Sequence, residues 1–120
     1  MKPKILVIED NERNMYLVTF ILEKYGYHVI QARDGREGIA LAEQTKPALI
    51  LLDIQLPGMD GYAVARALRS NPAFDGVPIV AVTSYAMVGD REQILAAGCN
   101  GYIEKPINPE TFIDDIEQHL

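Results

Sequence analysis

Glu9-Asp10, Asp53, Thr83-Ser84 and Glu104-Lys105-Pro106 each follow directly on a short apolar run in this chain. Glu9, Asp10 and Asp53 offer carboxylates, Thr83 a hydroxyl and Lys105 an amine. If the runs that end in Glu9-Asp10 and in Asp53 lie side by side, the three acids converge. Bare convergence is costly, because two like unit charges 4 Å apart repel by roughly 4 kcal/mol at an effective dielectric of about 20. Such a cluster needs a cation. Hard oxygen donors with no His or Cys beside them favour Mg²⁺ (or Mn²⁺) over zinc. Mg²⁺ keeps several waters and takes one or two carboxylates plus a phosphate, which suits phosphoryl chemistry. Asp53 is then a carboxylate nucleophile of the kind that forms aspartyl-phosphates. Lys105 adds positive charge against the transferring group, and Thr83 can hydrogen-bond an oxygen delivered there.

The elements that must position these groups alternate along the chain. The apolar runs are Lys4–Ile8, His28–Gln31, Ala48–Leu52, Val77–Val82 and Gly101–Ile103. The first, third and fourth are apolar on successive residues, as strands buried on both faces must be. The second and fifth are shorter and weaker, which suits strands nearer an edge. Between the runs lie amphipathic stretches of helical period. Met15, Val18, Leu22 and Tyr25 share a face and stop at Gly26. Gly35–Gln44 precedes Pro47, Tyr62–Leu68 precedes Ser70-Asn71-Pro72, and Ile94, Leu95 and Ala97 stop at Gly98. Asn108-Pro109 reads as an N-cap with proline at the first helical position, before Phe112, Ile113 and Ile116. Five strands and five helices in strict alternation predict an α/β fold with a doubly wound parallel sheet. The 120 residues leave roughly 24 per βα unit, close to the minimum for a parallel crossover. Such sheets bind ligands outside the carboxyl ends of their strands, where strand order reverses. The Met87–Gly98 stretch is less apolar than the other helices, and mobility is expected there.

Composition narrows the classes. The chain has 120 residues, 48% of them hydrophobic and 23% charged, which predicts one globular domain spanning 1–120. A formal net charge of −6 argues against direct nucleic-acid binding and against anionic membrane surfaces. The apolar runs fall far short of the roughly 20 residues that cross a bilayer. The opening Met1-Lys2-Pro3-Lys4 leads into too brief an apolar run for a signal peptide, so a cytoplasmic location is expected. Cys99 is the single cysteine, which excludes an internal disulfide and reads as a small core residue. His28 and His119 lack spaced partners for metal binding.

Glu9-Asp10, Leu52-Asp53 with Pro57-Gly58-Met59-Asp60-Gly61, Thr83-Ser84 and Lys105-Pro106, in this order and spacing, resemble the receiver domain of two-component response regulators. The resemblance covers Lys4 to Leu120. It implies a (βα)5 flavodoxin-like fold with strand order 2-1-3-4-5. It also implies Asp53 as phosphoacceptor, and a metal site of Glu9, Asp10, Asp53 and the Gln55 backbone carbonyl, with Glu9 acting mostly through water. It further implies Thr83 as switch hydroxyl, Tyr102 as aromatic switch residue, Lys105 on the phosphoryl group and a cis Lys105-Pro106 peptide. The implied phosphodonor is a phosphohistidine on a sensor histidine kinase or phosphotransfer domain. The implied readout surface, built from the fourth helix, fifth strand and fifth helix, would engage a downstream protein target. The Glu9-Asp10-Asn11 opening, Ser84-Tyr85-Ala86-Met87 and Lys105-Pro106-Ile107 look more like single-domain regulators of the DivK type and hybrid-kinase receivers. The expectation is therefore a stand-alone regulator or a receiver excised from a hybrid histidine kinase, with no substrate turnover of its own.

Other functions fit less well. Dehalogenase-like phosphatases carry Asp-x-Asp, with the second acid as proton donor. Here that position is Gln55, which cannot serve that way. A nucleotide or flavin binder on the same fold is not supported, because neither Gly-x-Gly-x-x-Gly nor a Walker sequence occurs. A receiver that is never phosphorylated is disfavoured by the full set of site residues.

Overall fold

The three runs that are apolar on successive residues form the middle of a parallel sheet. A computed structural model describes residues 3–120; Met1 and Lys2, part of the opening read for a leader, lie outside the described residues. Strands β1 (Lys4–Ile8), β2 (His28–Ala32), β3 (Leu49–Asp53), β4 (Ile79–Thr83) and β5 (Gly101–Glu104) alternate with helices α1 (Glu12–Lys24), α2 (Gly35–Thr45), α3 (Gly61–Arg69), α4 (Val88–Ala96) and α5 (Phe112–Glu117). The sheet order is β2-β1-β3-β4-β5, and every adjacent pair is parallel. All five residues of β3 and of β4 are buried. The edge strand β2 exposes His28 and Gln31.

Side chains of a strand alternate between faces, and the core divides accordingly. Ile5, Val7, Leu49, Leu51, Val80 and Val82 pack against Met15, Val18 and Leu22 of α1 and Phe112, Ile113 and Ile116 of α5. Leu6, Ile8, Ile50, Leu52, Ile79 and Ala81 meet Ala42 of α2, Val64 and Leu68 of α3, and Ile94 of α4. Two helices therefore cover one face and three the other. The reversal of strand order falls between β1 and β3, which brings the two acid-bearing strand ends together.

The helix boundaries follow local chemistry. Asn11, Asp34 and Asp60 cap α1, α2 and α3, each side chain accepting a backbone N–H three residues on. Gly26 and Gly98 follow the ends of α1 and α4 with positive φ, as their glycine signals predict. Lys46 makes a left-handed turn after α2, just before Pro47, and its N–H reaches the Ala42 carbonyl. One end differs from expectation. Asn108-Pro109 does not start the last helix. The Asn108 side chain accepts from Glu110 N instead, and regular helix begins at Phe112. β4 begins at Ile79, after Pro78, since proline has no N–H for the ladder. Cys99 is a buried core residue, as its sequence reading expects, and burial pushes its thiol up to about 11.

α4 is the thinly anchored element. Ile94 is its one buried residue, whereas α1 buries Met15, Val18, Ile21 and Leu22. Local opening costs less where little apolar surface is buried. Backbone amides within Val88–Ala96 are expected to exchange with solvent at least about tenfold faster than those in the interior of α1. Hydrogen exchange read by NMR checks this, and equal protection of the two helices would overturn it.

Candidate functional site

Strand register assembles the site. Ile8 pairs with Leu52, so Glu9 and Asp53 come level at the carboxyl ends of neighbouring strands. Asp53 pairs with Val82, which sets Thr83 one residue further along the next strand. Thr83 pairs with Glu104, and Lys105 follows at the end of β5. The Lys105 N–H donates to the Thr83 carbonyl at 2.8 Å, carrying the ladder one step past the strand. The Lys105–Pro106 peptide is cis.

Glu9 is 4% exposed and Asp53 2% exposed, while Asp10 is open to solvent. One carboxylate oxygen from each of the three lies within 4.8 Å of the others. The Lys105 ammonium reaches into this cluster, with Nζ 3.1 Å from Asp53 Oδ1 and 3.6 Å from Glu9 Oε1. Gln55 N donates to the same Asp53 Oδ1 at 3.0 Å, and Asn11 N donates to Glu9 Oε2 at 3.2 Å. One ammonium facing three acids leaves the cluster short of positive charge. Burial first, and then Asp53 as hydrogen-bond partner and as charge, push Glu9 up from its ordinary 4.5 to about 7. The Asn11 N–H and Lys105 pull in the other direction. The donors are all hard oxygens, two of them on buried side chains, and this set fits a divalent cation.

The loop after β3 must pass close to the strand end. A Cβ on Gly61 would meet the Asp53 carbonyl oxygen and the Ile54 Cα at 2.6 Å, so only glycine lets α3 start there. Gly61 N in turn donates to the Ile54 carbonyl at 3.1 Å. Asp60, beside these residues in the sequence, caps α3 through Ala63 N at 2.9 Å.

Thr83 is fully buried, and its hydroxyl is tied to the loop that follows it. It accepts from Tyr85 N at 2.9 Å and donates to Tyr85 O at 3.0 Å. The Tyr85 side chain is exposed. Tyr102 pairs with Ala81, two residues before Thr83, and packs against the same core cluster. Its ring lies under the Arg91 guanidinium at 5.4 Å, and Arg91 Nε donates to Ala86 O at 2.8 Å. The sequence pointed to Thr83, Gln55 and Tyr102 but carried no sign of Arg91 or of the bonds that the Gln55 carboxamide makes. Gln55 Nε2 donates to Thr83 Oγ1 at 2.9 Å, and Ser84 N donates to Gln55 Oε1 at 3.2 Å. No spacing rule signals a contact between residues 28 positions apart in sequence.

Comparison with known proteins follows the same lines. Residues 5–117 match the family model of the response regulator receiver domain. The polar-differentiation response regulator DivK of Brucella anthropi is 42% identical over 120 residues, covering 100% of this chain and 98% of that protein. The chemotaxis response regulator CheY4 of Vibrio cholerae superposes with a TM-score of 0.96 at 29% identity, covering all of both chains. The receiver domain of the sensor histidine kinase PA1611 from Pseudomonas aeruginosa PAO1, solved with a magnesium ion coordinated in its active-site cleft, gives a TM-score of 0.90 at 35% identity. That alignment covers 98% of this chain and 97% of the other.

The raised Glu9 carboxyl makes the metal-free protein sensitive to pH. Between about 4.5 and 7 the folded protein holds a proton on Glu9 that the unfolded chain releases. Stability therefore falls as pH rises through that window, and the deficit is complete above it. In chelator, Glu9→Gln is expected to raise the thermal midpoint at pH 8 and to leave it close to wild type near pH 4.5. Parallel melting curves at several pH values test this. A wild-type-to-variant difference that does not grow with pH would overturn it.

Proposed function

This chain belongs to the response regulator receiver family, and on that premise we propose that it is a switch driven by phosphorylation of Asp53. The observation that carries the reading is the buried Asp53 carboxylate. It stands level with Glu9, with Lys105 Nζ at 3.1 Å and Thr83 on the adjoining strand. An Asp53 oxygen attacks the phosphorus of a phosphohistidine on a sensor kinase or phosphotransfer domain. The P–N bond breaks, and the imidazole leaves and takes up a proton. Asp53 is held for this step by Gln55 N and Lys105, both on Oδ1. Lys105 faces the oxygens of the transferring group, where charge accumulates. Glu9, Asp10, Asp53 and the Gln55 main chain would hold Mg²⁺ (or Mn²⁺), which when bound would supply positive charge to the transferring group. The magnesium seen in the cleft of the PA1611 receiver supports this choice of ion.

The product carries new acceptor oxygens beside Asp53. Thr83 turns toward them, its loop follows, and the change passes along Ala86, Arg91 and Tyr102 to the face formed by α4, β5 and α5. The thin anchoring of α4 supports that face as the part that responds. A downstream protein target reads it, and water then returns Asp53 to the free carboxylate, so the chain turns over no separate substrate. Coverage of 98% of the DivK protein at 42% identity supports a single-domain regulator of that type, with residues 1–120 as its receiver domain. The likeness to the PA1611 receiver supports the second reading, a module of a hybrid histidine kinase. Among the described residues no helix is long and apolar enough to cross a membrane, which is consistent with a cytoplasmic switch.

Incubation with acetyl phosphate and Mg²⁺ is expected to add one phosphoryl group to the intact mass. Chelator or Asp53→Asn abolishes the gain. A gain that persists in Asp53→Asn would overturn the assignment. Lys105→Ala is expected to slow the reaction by about a hundredfold. It should also tighten divalent-cation binding, because a cation leaves the acidic cluster. Weaker cation binding in this variant would show that Lys105 builds the metal site and does not oppose it.

A further inference from the structure

Thr83 Oγ1 has no bonding capacity to spare in this conformation. A hydroxyl offers one donor and two acceptor positions. The proton goes to Tyr85 O, and the lone pairs take Tyr85 N and Gln55 Nε2. Gln55 is bound at its other end as well, since its Oε1 accepts from Ser84 N. Its main chain meanwhile donates to Asp53 Oδ1. One residue thus touches Asp53 with its backbone and grips the β4–α4 loop with both ends of its carboxamide.

We infer that the Gln55 side chain is a positioning latch that pins Thr83 and Ser84 in this arrangement until a phosphoryl group beside Asp53 competes for the hydroxyl. The inference rests on the reading of Asp53 as acceptor and Thr83 as switch hydroxyl. Release requires Thr83 to withdraw its proton from Tyr85 O and the loop to part from the Gln55 amide. Both Gln55 bonds are between neutral groups, and Ser84 is exposed, so water can replace the bond it loses. The Thr83 proton exchanges the neutral Tyr85 carbonyl for a charged phosphoryl oxygen, and charge-assisted bonds are roughly twice as strong. The unmodified chain therefore stays latched, and phosphorylation shifts the population toward release. Gln55 sets how much of the population is competent before modification, and apparent affinity for a phosphoryl-like ligand scales with that fraction.

The test uses trifluoroberyllate with Mg²⁺ as a phosphoryl mimic on the full chain, followed by the amide signals of Thr83 and Ser84. Gln55→Leu and Gln55→Ala both remove the carboxamide and are expected to bind the mimic about three- to tenfold tighter than wild type. A merely structural role would leave affinity unchanged or weaken it, and that result in both variants overturns the latch. A second measurement stands apart from the mimic. Without any ligand, exchange of the Ser84 amide is expected to speed up in both variants, because its acceptor is gone. If wild type takes no trifluoroberyllate, the phosphorylation reading fails, and the latch is then decided by this exchange alone. Ser84 exchange as slow in the variants as in wild type overturns it.

Discussion

Two carboxylates buried side by side with one ammonium between them govern the rest of this structure. Glu9 and Asp53 are almost wholly removed from solvent, and Lys105 is the one cation within 4.0 Å of both among the described residues. Buried like charges are tolerated only when paired, hydrogen-bonded or protonated. Here each remedy is partly applied. Lys105 pairs with both acids, backbone N–H groups of Asn11 and Gln55 serve one each, and Glu9 holds its proton to about neutrality. The residual imbalance is what makes the site receptive to a divalent cation.

The parallel sheet exists in a form that can sustain that imbalance. β1, β3 and β4 are covered on both faces by apolar side chains, so their ends are fixed by the packing of the whole domain. A rigid frame keeps the acids close although their charges repel. The cost is confined to the rim, where Asn11 and Asp60 cap the helices that follow and Gly61 admits α3 against the backbone of Asp53 and Ile54.

Rigidity is not uniform, and its distribution follows the same packing. The β4–α4 loop is held by polar contacts: Thr83 to Tyr85, Gln55 to Thr83 and Ser84, and Arg91 to Ala86. Net contributions of such bonds are about 1 kcal/mol each, within reach of what a new charged group can offset. α4 beyond the loop rests chiefly on Ile94. A strand end fixed by packing, carrying Asp53, thus adjoins a loop held by exchangeable bonds, which is the division the proposed switch requires.

The sequence by itself determined the alternation of strands and helices, because strands buried on both faces are apolar on successive residues and Gly26 and Gly98 end α1 and α4 in the left-handed region. It also determined which residues stand at strand ends, so Glu9, Asp10, Asp53, Thr83 and Lys105 were legible as candidates before any coordinates. It did not determine where the last helix starts, since the Asn108 side chain turned out to brace a turn and not a helix. Nor did it expose the grip of Gln55 on Thr83 or the stacking of Arg91 over Tyr102. Those contacts join the loop after β3 to β4, and α4 to β5. Only the register of β3, β4 and β5 and the seating of α4 on the sheet decide that they meet.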